Sequence, residues 1–300
     1  MPFVLKTIPA IKGMKIQMFF LKELKYTPGE AQKLLNRARI FDAKKEPYKI
    51  NESIRDDFVQ VALFEGHTRG LNPIFQTEDF AIFDKPSGLM VHPTSRFTEY
   101  SLLDEIRYHF GKNANLAHRI DLETSGIIMI SKDKITDILL KNMFEEKLYQ
   151  KTYHALVQGK VEDEISINAP LAKDFNSTIG VKMAVDYNKG KESLTHIRPI
   201  QYFEDTNQTL VEAKPVTGRQ HQIRIHLHSI GHTIVGDPIY GVDEVLADKY
   251  LCKTLSQKDR LEITGANRLM LHALSLRFYF KNRTYDISSK QNFGYNLKSK

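Results

Sequence analysis

The 300-residue chain has no tryptophan and a single cysteine, Cys252. One thiol excludes an internal disulfide and argues against a cysteine-rich zinc site or an iron–sulfur cluster. The chain also lacks any apolar run near the length of about 20 residues that crosses a bilayer. Its first stretch, MPFVLKTIPAIKGMKIQMFF, is broken by Lys6, Pro9, Lys12 and Lys15, so it has no signal-peptide core. A cytoplasmic protein without membrane contact is expected. No internal repeat or long low-complexity segment interrupts the chain.

What is present is a globular composition, 41% hydrophobic and 26% charged, in a chain long enough for one large core or two domains. The formal net charge is +7. Such a surplus attracts acidic partners, and without a membrane anchor nucleic acid leads. Residues 1–70 hold 13 Lys/Arg against 8 Asp/Glu, so much of the excess lies early. A surplus of this size serves solubility as readily as it serves RNA binding.

Periodicity divides the chain into a small domain over 1–66, a linker over 67–75, a larger domain over 76–285 and a basic tail over 286–300. In the first, helices are expected near Met18–Lys25 and over Glu30–Arg39, separated by a Thr27-Pro28-Gly29 break. A β-rich piece, Val59–Leu63, follows. In the second, strands are expected at Asp79–Phe83, Ile127–Ile130, Tyr149–Val157, Leu194–Pro199, Thr209–Ala213 and Leu274–Phe280. Helices are expected over Ser101–Phe110, with Leu102, Leu103 and Ile106 inward, and from an Asp133 or Thr136 cap to Glu146. The inward face of the latter is read as Ile135, Ile138, Leu139 and Met143. Strands with inserted helices indicate an α+β fold on a mixed, mainly antiparallel sheet.

Two polar clusters carry the chemistry. Leu116–Ile130, LAHRIDLETSGIIMI, sets Arg119-Ile120-Asp121 against Thr124-Ser125-Gly126 and then a β-branched run that reads as a buried strand. Loops held by rigid strands are where catalytic groups sit. Asp121 is therefore the first candidate, although an aspartate also serves to hydrogen-bond its own turn. The second cluster, Thr217–His228, alternates like a strand at Ile223, Ile225 and Leu227, yet also lines one helical face with Ile223, Leu227 and Ile230. A helix is preferred, started by Thr217-Gly218 and stopped by Gly231. Arg219 then stands near a helix N-terminus, where N–H groups and an arginine together suit an RNA phosphate. Four histidines, at 221, 226, 228 and 232, raise a metal site, but the His-Glu-x-x-His arrangement is absent. Packing or RNA contact is the preferred reading, so no metal is expected.

Residues His118–Gly126, HRIDLETSG, resemble the His-Arg-Leu-Asp-x-x-Thr-Ser-Gly signature of RluA-type RNA pseudouridine synthases, and Gly218–His226, GRQHQIRIH, resembles their second signature. Asp84–Gly88 with Val91-His92-Pro93, Lys151–Val157, Gly236–Gly241 and Leu271-His272-Ala273 follow in family order. The resemblance implies the pseudouridine synthase fold and isomerisation of uridine in RNA to its carbon-linked isomer, without cofactor or metal. It places the catalytic aspartate at Asp121, with an ester and a glycal route both open. Arg224 matches the arginine paired with that aspartate; an opposite charge within about 4–6 Å favours the ionised carboxylate. Tyr153 matches the tyrosine that stacks on the target uracil, a contact worth about 1–3 kcal/mol. Its ordinary pKa near 10 makes it a poor base alone. Arg119 matches the residue that helps extrude the nucleotide and fills the vacated stack. Ile120 and Leu271 are expected to wall the pocket, and Arg219 and His221 to contact RNA.

The N-terminal region is similar to the αL-type RNA-binding module through GEAQKLLNRARI and INESIRDDFVQV, without that module's usual serine and arginine at the helix openings. Lys33, Arg37 and Arg39 are its candidate RNA contacts. The implied partner is ribosomal RNA, with transfer RNA the other possibility, and a monomer is the default. The alternative reading is a non-catalytic RNA-binding or ribosome-assembly protein that keeps the fold. An N-glycosidase releasing uracil is a third.

Overall fold

The computed structural model describes residues 3–93 and 98–291. The chain divides into two compact units, one of residues 1–69 with 92–111 and one of 70–91 with 112–300. Among the described residues no helix is long and apolar enough to cross a membrane.

In the first unit, β1 (Phe3–Pro9), β2 (Ile40–Phe41) and β3 (Phe58–Phe64) form an antiparallel sheet with β3 in the middle. Helix α1 (Ile16–Lys22) and helix α2 (Pro28–Asn36) supply Ile16, Phe19, Phe20, Ala31 and Leu35 to a core that includes Tyr48, Val59 and Val61. Both helices begin earlier than the sequence reading places them. Thr27-Pro28-Gly29 is no break: Thr27 caps α2, Glu30 reaches back to the Thr27 N–H at 2.9 Å, and Pro28 sits in the first turn, where its missing N–H costs nothing. Strand β1 went unread because its partner lies far along the chain, Phe3 facing Phe64 and Pro9 facing Phe58. Helix α3 (Leu102–Phe110) opens on a Ser101–Asp104 cap and buries Leu102, Leu103 and Ile106, as expected.

The second unit is built on β4 (Pro73–Gln76), β5 (Phe80–Lys85), β6 (Asn115–Leu116), β7 (Ser125–Ser131), β8 (Tyr149–Gln158), β9 (Ile165–Asn168), β10 (Leu171–Lys173), β11 (Met183–Val185), β12 (Leu194–Phe203), β13 (Gln208–Pro215), β14 (Leu271–Phe280) and β15 (Arg283–Ser288). Ten of these form one sheet in the order β4-β5-β7-β14-β8-β13-β12-β9, with β15 on β14 and β6 on β7; β10 and β11 make a separate hairpin. Among the described residues every pairing in that sheet is antiparallel except β14 with β7, so the sheet is mixed and mainly antiparallel, as expected. Helices α4 (Lys134–Glu145), α5 (Gln222–Ser229), α6 (Glu244–Leu251) and α7 (Gln257–Thr264) accompany it. Of the expected basic tail, residues 286–288 continue β15 and residues 292–300 lie outside the described residues.

Two helices of this unit also depart from their sequence reading. Asp133 caps α4 as expected, but Thr136, Leu140 and Met143 form its buried face, while Ile135, Ile138 and Leu139 stand 75%, 61% and 43% exposed. The Asp133 carboxylate accepts from the Ile135 and Thr136 N–H groups and from the Thr136 hydroxyl, and this cap turns Thr136 inward. Helix α5 starts at Gln222, five residues after the expected Thr217. His221 before it takes the left-handed conformation at φ 55°, which ends any continuous helix from Thr217.

The short parallel pairing brings the central strands into line. Ser125 and Gly126 of β7 face His272 and Ala273 of β14, and Ala273 faces Tyr153 of β8 on its other side. Gly126 has φ +104°, and a Cβ there would lie 2.1 Å from the Ala273 carbonyl oxygen, so only glycine allows this approach.

Candidate active site

Strands β7, β14 and β8 are adjacent, so the loop entering β7, the start of β14 and the middle of β8 open on one place. The cavity there measures about 610 Å³. Asp121, Tyr153, Arg224, Arg119, Ile120, Arg219, His221 and Leu271 all line it, although they span 153 positions of sequence from Arg119 to Leu271.

Asp121 is held from two sides. Its Oδ2 lies 3.3 Å from Arg224 Nη1 and 3.8 Å from His221 Nε2, and its side chain is 30% exposed against 5% for Arg224. The guanidinium is itself clamped: Nε and Nη2 donate to the two Asp237 oxygens at 2.7 and 2.8 Å. Asp237 Oδ1 also accepts the Ile239 and Tyr240 N–H groups at 2.9 and 3.0 Å. Burial opposes charge on both partners, but Asp237 and then Asp121 hold Arg224 above its ordinary pKa, and Arg224 holds Asp237 below the usual carboxylate range. The fork thus offers Asp121 one remaining N–H edge in fixed orientation.

His221 owes its position to the left-handed turn before α5. Its Nδ1 lies 2.9 Å from the Tyr240 hydroxyl, which already accepts the Met183 N–H at 3.1 Å and so has its own proton to give. The ring's Nε2 faces Asp121. Burial, followed by the Arg224 charge, pulls His221 down to about 4 against Asp121 and Asp237, so the ring is neutral at pH 7. The turn itself is fixed by Gln222, whose Oε1 accepts from the Thr217 hydroxyl at 2.6 Å and the Arg219 N–H at 3.0 Å. Its Nε2 donates to the Leu194 carbonyl and Thr195 hydroxyl, both at 3.0 Å. Arg219 precedes α5 instead of opening it, and its Nε donates to the Glu192 carbonyl at 3.3 Å.

Tyr153 is buried, and its phenol is pushed above its ordinary pKa by burial and then by Asp121 and Tyr149, which keeps it protonated. Leu271, at the start of β14 and paired with Ala155, is buried, while Arg119 is exposed. The loop carrying Asp121 is anchored two residues on. Glu123 receives Arg260 Nη1 at 2.7 Å, the Tyr250 hydroxyl at 2.8 Å and the Leu269 N–H at 2.9 Å. The other histidines are occupied: His226 is buried with Nε2 on the Ala169 carbonyl at 2.9 Å, and His228 and His232 bond Thr233 and Gln158. Among the described residues no group of three or more His, Cys, Asp or Glu side chains clusters as metal ligands would.

Asp237, Tyr240, Gln222, Tyr149 and Lys151 belong to the site and were given no role from sequence. Asp237 and Tyr240 sat inside a recognised motif, Gly236–Gly241, which was their only signal. Tyr149 and Lys151 precede Tyr153 at two-residue steps, and that spacing could have found them.

A carboxylate, a clamped arginine and a protonated tyrosine thus come together around one cavity. Residues 79–229 match the RNA pseudouridylate synthase family. The chain belongs to that family, in its RluA-type branch, and is an isomerase that forms pseudouridine in RNA. It is 37% identical over 291 residues to an uncharacterized RNA pseudouridine synthase of Helicobacter pylori, covering 96% of each chain. It is 33% identical over 210 residues to the dual-specificity RNA pseudouridine synthase RluA of Vibrio cholerae, covering 70% of this chain and 77% of that one. The fold is similar to that of human RNA pseudouridylate synthase domain containing 1, with a TM-score of 0.60 at 23% identity over 76% of this chain and 86% of that one.

Proposed function

We propose that Asp121 is the catalytic carboxylate, that Arg224 orients it, and that Tyr153 stacks on the target uracil. The observation that carries this reading is the 3.3 Å contact of Asp121 with an arginine whose Nε and Nη2 already donate to Asp237. Breaking the glycosidic bond requires a carboxylate to act on the nucleoside while the uracil stays in place. Asp121 supplies the charge, and stacking on Tyr153, worth about 1–3 kcal/mol, retains the base while it turns to present carbon five. Arg119, exposed at the cavity, is free to enter the stack vacated by an extruded nucleotide, with Ile120 and Leu271 walling the pocket.

The cavity lining carries two carboxylates, Asp121 and Glu145, against six lysines and arginines, a balance suited to RNA phosphate. Ribosomal RNA is the favoured substrate. Curated relatives include the ribosomal large subunit pseudouridine synthases D of Zymomonas mobilis and C of Buchnera aphidicola, and RluA points to a second RNA class, for which transfer RNA is our candidate. We take the protein to act as a cytoplasmic monomer.

The deciding experiment is pseudouridine mapping by carbodiimide labelling and sequencing in total RNA from cells with and without the gene, complemented by the intact protein or by Asp121→Asn. One or a few sites should vanish and return only with the intact protein. Purified Asp121→Asn should keep its RNA affinity, because phosphate contacts supply most of the binding. A folded variant that loses tenfold or more in affinity would contradict this assignment, and unchanged maps would favour a non-catalytic RNA-binding role.

A further inference from the structure

The proposed chemistry leaves one end of the cavity unused. Tyr149, Lys151 and Tyr153 alternate along β8, so all three side chains leave the same face of the sheet, and all three line the cavity. Tyr149 and Tyr153 therefore leave the strand about 13 Å apart, at a rise of about 3.3 Å per residue. Phe144, from the last turn of α4, completes an aromatic floor: its ring centroid is 4.7 Å from that of Tyr149. The Lys151 ammonium stands over this floor, 4.7 Å from the Phe144 centroid and 5.1 Å from that of Tyr149.

We propose that Phe144, Tyr149 and Lys151 form a second nucleotide subsite, in which Lys151 takes the phosphate and Tyr149 the base of a nucleotide flanking the target uridine. The inference rests on the RNA reading of the cavity. Three observations support it. First, no carboxylate forms an ion pair with Lys151 among the described residues, and burial alone pushes its amine down to about 7. An amine in that condition is only half charged at neutral pH, and an arriving phosphate would supply its missing counter-ion. Second, the surroundings are cationic: Lys147 and Lys141 also line this end, Lys141 with Asp137 at 2.5 Å, and Glu145 is the nearby carboxylate in the lining. Third, Gly218, also in the lining, borders the Tyr149 ring without a side chain: a Cβ there would stand 3.9 Å from the Tyr149 hydroxyl, at ordinary contact distance. Aromatic rings beside a cation are the elements with which proteins hold single-stranded RNA without reading its sequence.

The test uses the full-length protein and, as probe, total RNA from cells lacking the gene. After ultraviolet crosslinking and digestion, mass spectrometry should find nucleotide adducts on Phe144, Tyr149 or Lys151, in the wild type and in Asp121→Asn alike. In binding titrations across salt, Lys151→Met should weaken affinity about tenfold and lower the slope of log affinity against log salt by about one. Lys151→Arg should restore the slope. Adducts confined to other parts of the chain would overturn the subsite, as would a salt slope unchanged in a folded Lys151→Met protein. Neither readout needs turnover. A protein that forms no pseudouridine would sink the catalytic assignment while these adducts and slopes still decide the subsite.

Discussion

Lys85 shows how a single residue ties the site together. Its side chain is wholly buried, and its Nζ donates to the carbonyls of Pro86 and Leu89 at 3.0 Å and of Leu122 at 2.8 Å, joining the loop after β5 to the loop that carries Asp121. Burial pulls the amine down to about 7, with Asp121 and Glu123 opposing and Arg268 adding to the fall. In the unfolded chain a lysine titrates near 10.4, so between about pH 7 and 10 the unfolded state binds more protons and stability rises with pH. The cost of burying the ammonium is fully felt below pH 7. Lys85→Met should therefore lose about 2–4 kcal/mol at pH 7, because three carbonyls lose their donor, and should also lose part of the rise toward pH 10. Urea denaturation at pH 7, 8.5 and 10 measures both, and a variant with the wild-type pH slope would contradict the burial argument. Neither role was legible in the sequence, where Lys85 lies in the Asp84–Gly88 motif with nothing to mark its burial, and its third partner is 37 positions away. Asp121, Arg224 and Tyr153 were legible as candidates because each matches a motif position to which the resemblance gives a role. Asp237, which fixes Arg224, lies in a motif too, but nothing local says which side chain an aspartate will face.

Elements were read best where their pattern is local and strong. The strands at Phe80–Lys85, Ser125–Ser131 and Tyr149–Gln158 stand where the apolar runs put them. Helix α4 was read in the right place with the wrong face inward, because two overlapping sets of residues share helical spacing and only the cap and the sheet beneath choose between them. The choice is testable. Ile135→Lys and Ile138→Lys, on the exposed face, should each change stability by no more than about 0.5 kcal/mol, whereas Leu140→Ala should cost about 2–5 kcal/mol. Urea midpoints of the three variants decide it, and a large loss at Ile135 would restore the other face. Helix α5 failed differently. Its start is set by Gln222, whose clamp reaches Leu194 and Thr195 on a strand far back in the chain, and periodicity carries no trace of such a tether.

For the molecule as a whole, charge and cavity make one prediction. With a net charge of +7 and five lining lysines and arginines besides Arg224, RNA affinity should fall steeply with salt. A slope of log affinity against log salt of roughly −3 to −4 is expected if those five contact phosphate on a single strand, measured by filter binding between 50 and 200 mM salt. A slope shallower than about −1 would mean that the cations do not meet phosphate. By itself the sequence determined the family, the mixed antiparallel sheet and the candidate residues for the chemistry, because short motifs and two-residue alternation are properties of neighbours along the chain. Only the tertiary structure decided that Arg224 is clamped by Asp237, that His221 is neutral and left-handed, that Lys85 is buried and that Lys151 stands uncompensated over an aromatic floor. Each depends on a partner, or on exclusion of water, supplied by strands and loops distant in sequence. Hydrogen-bond geometry and desolvation exist only once those are packed together.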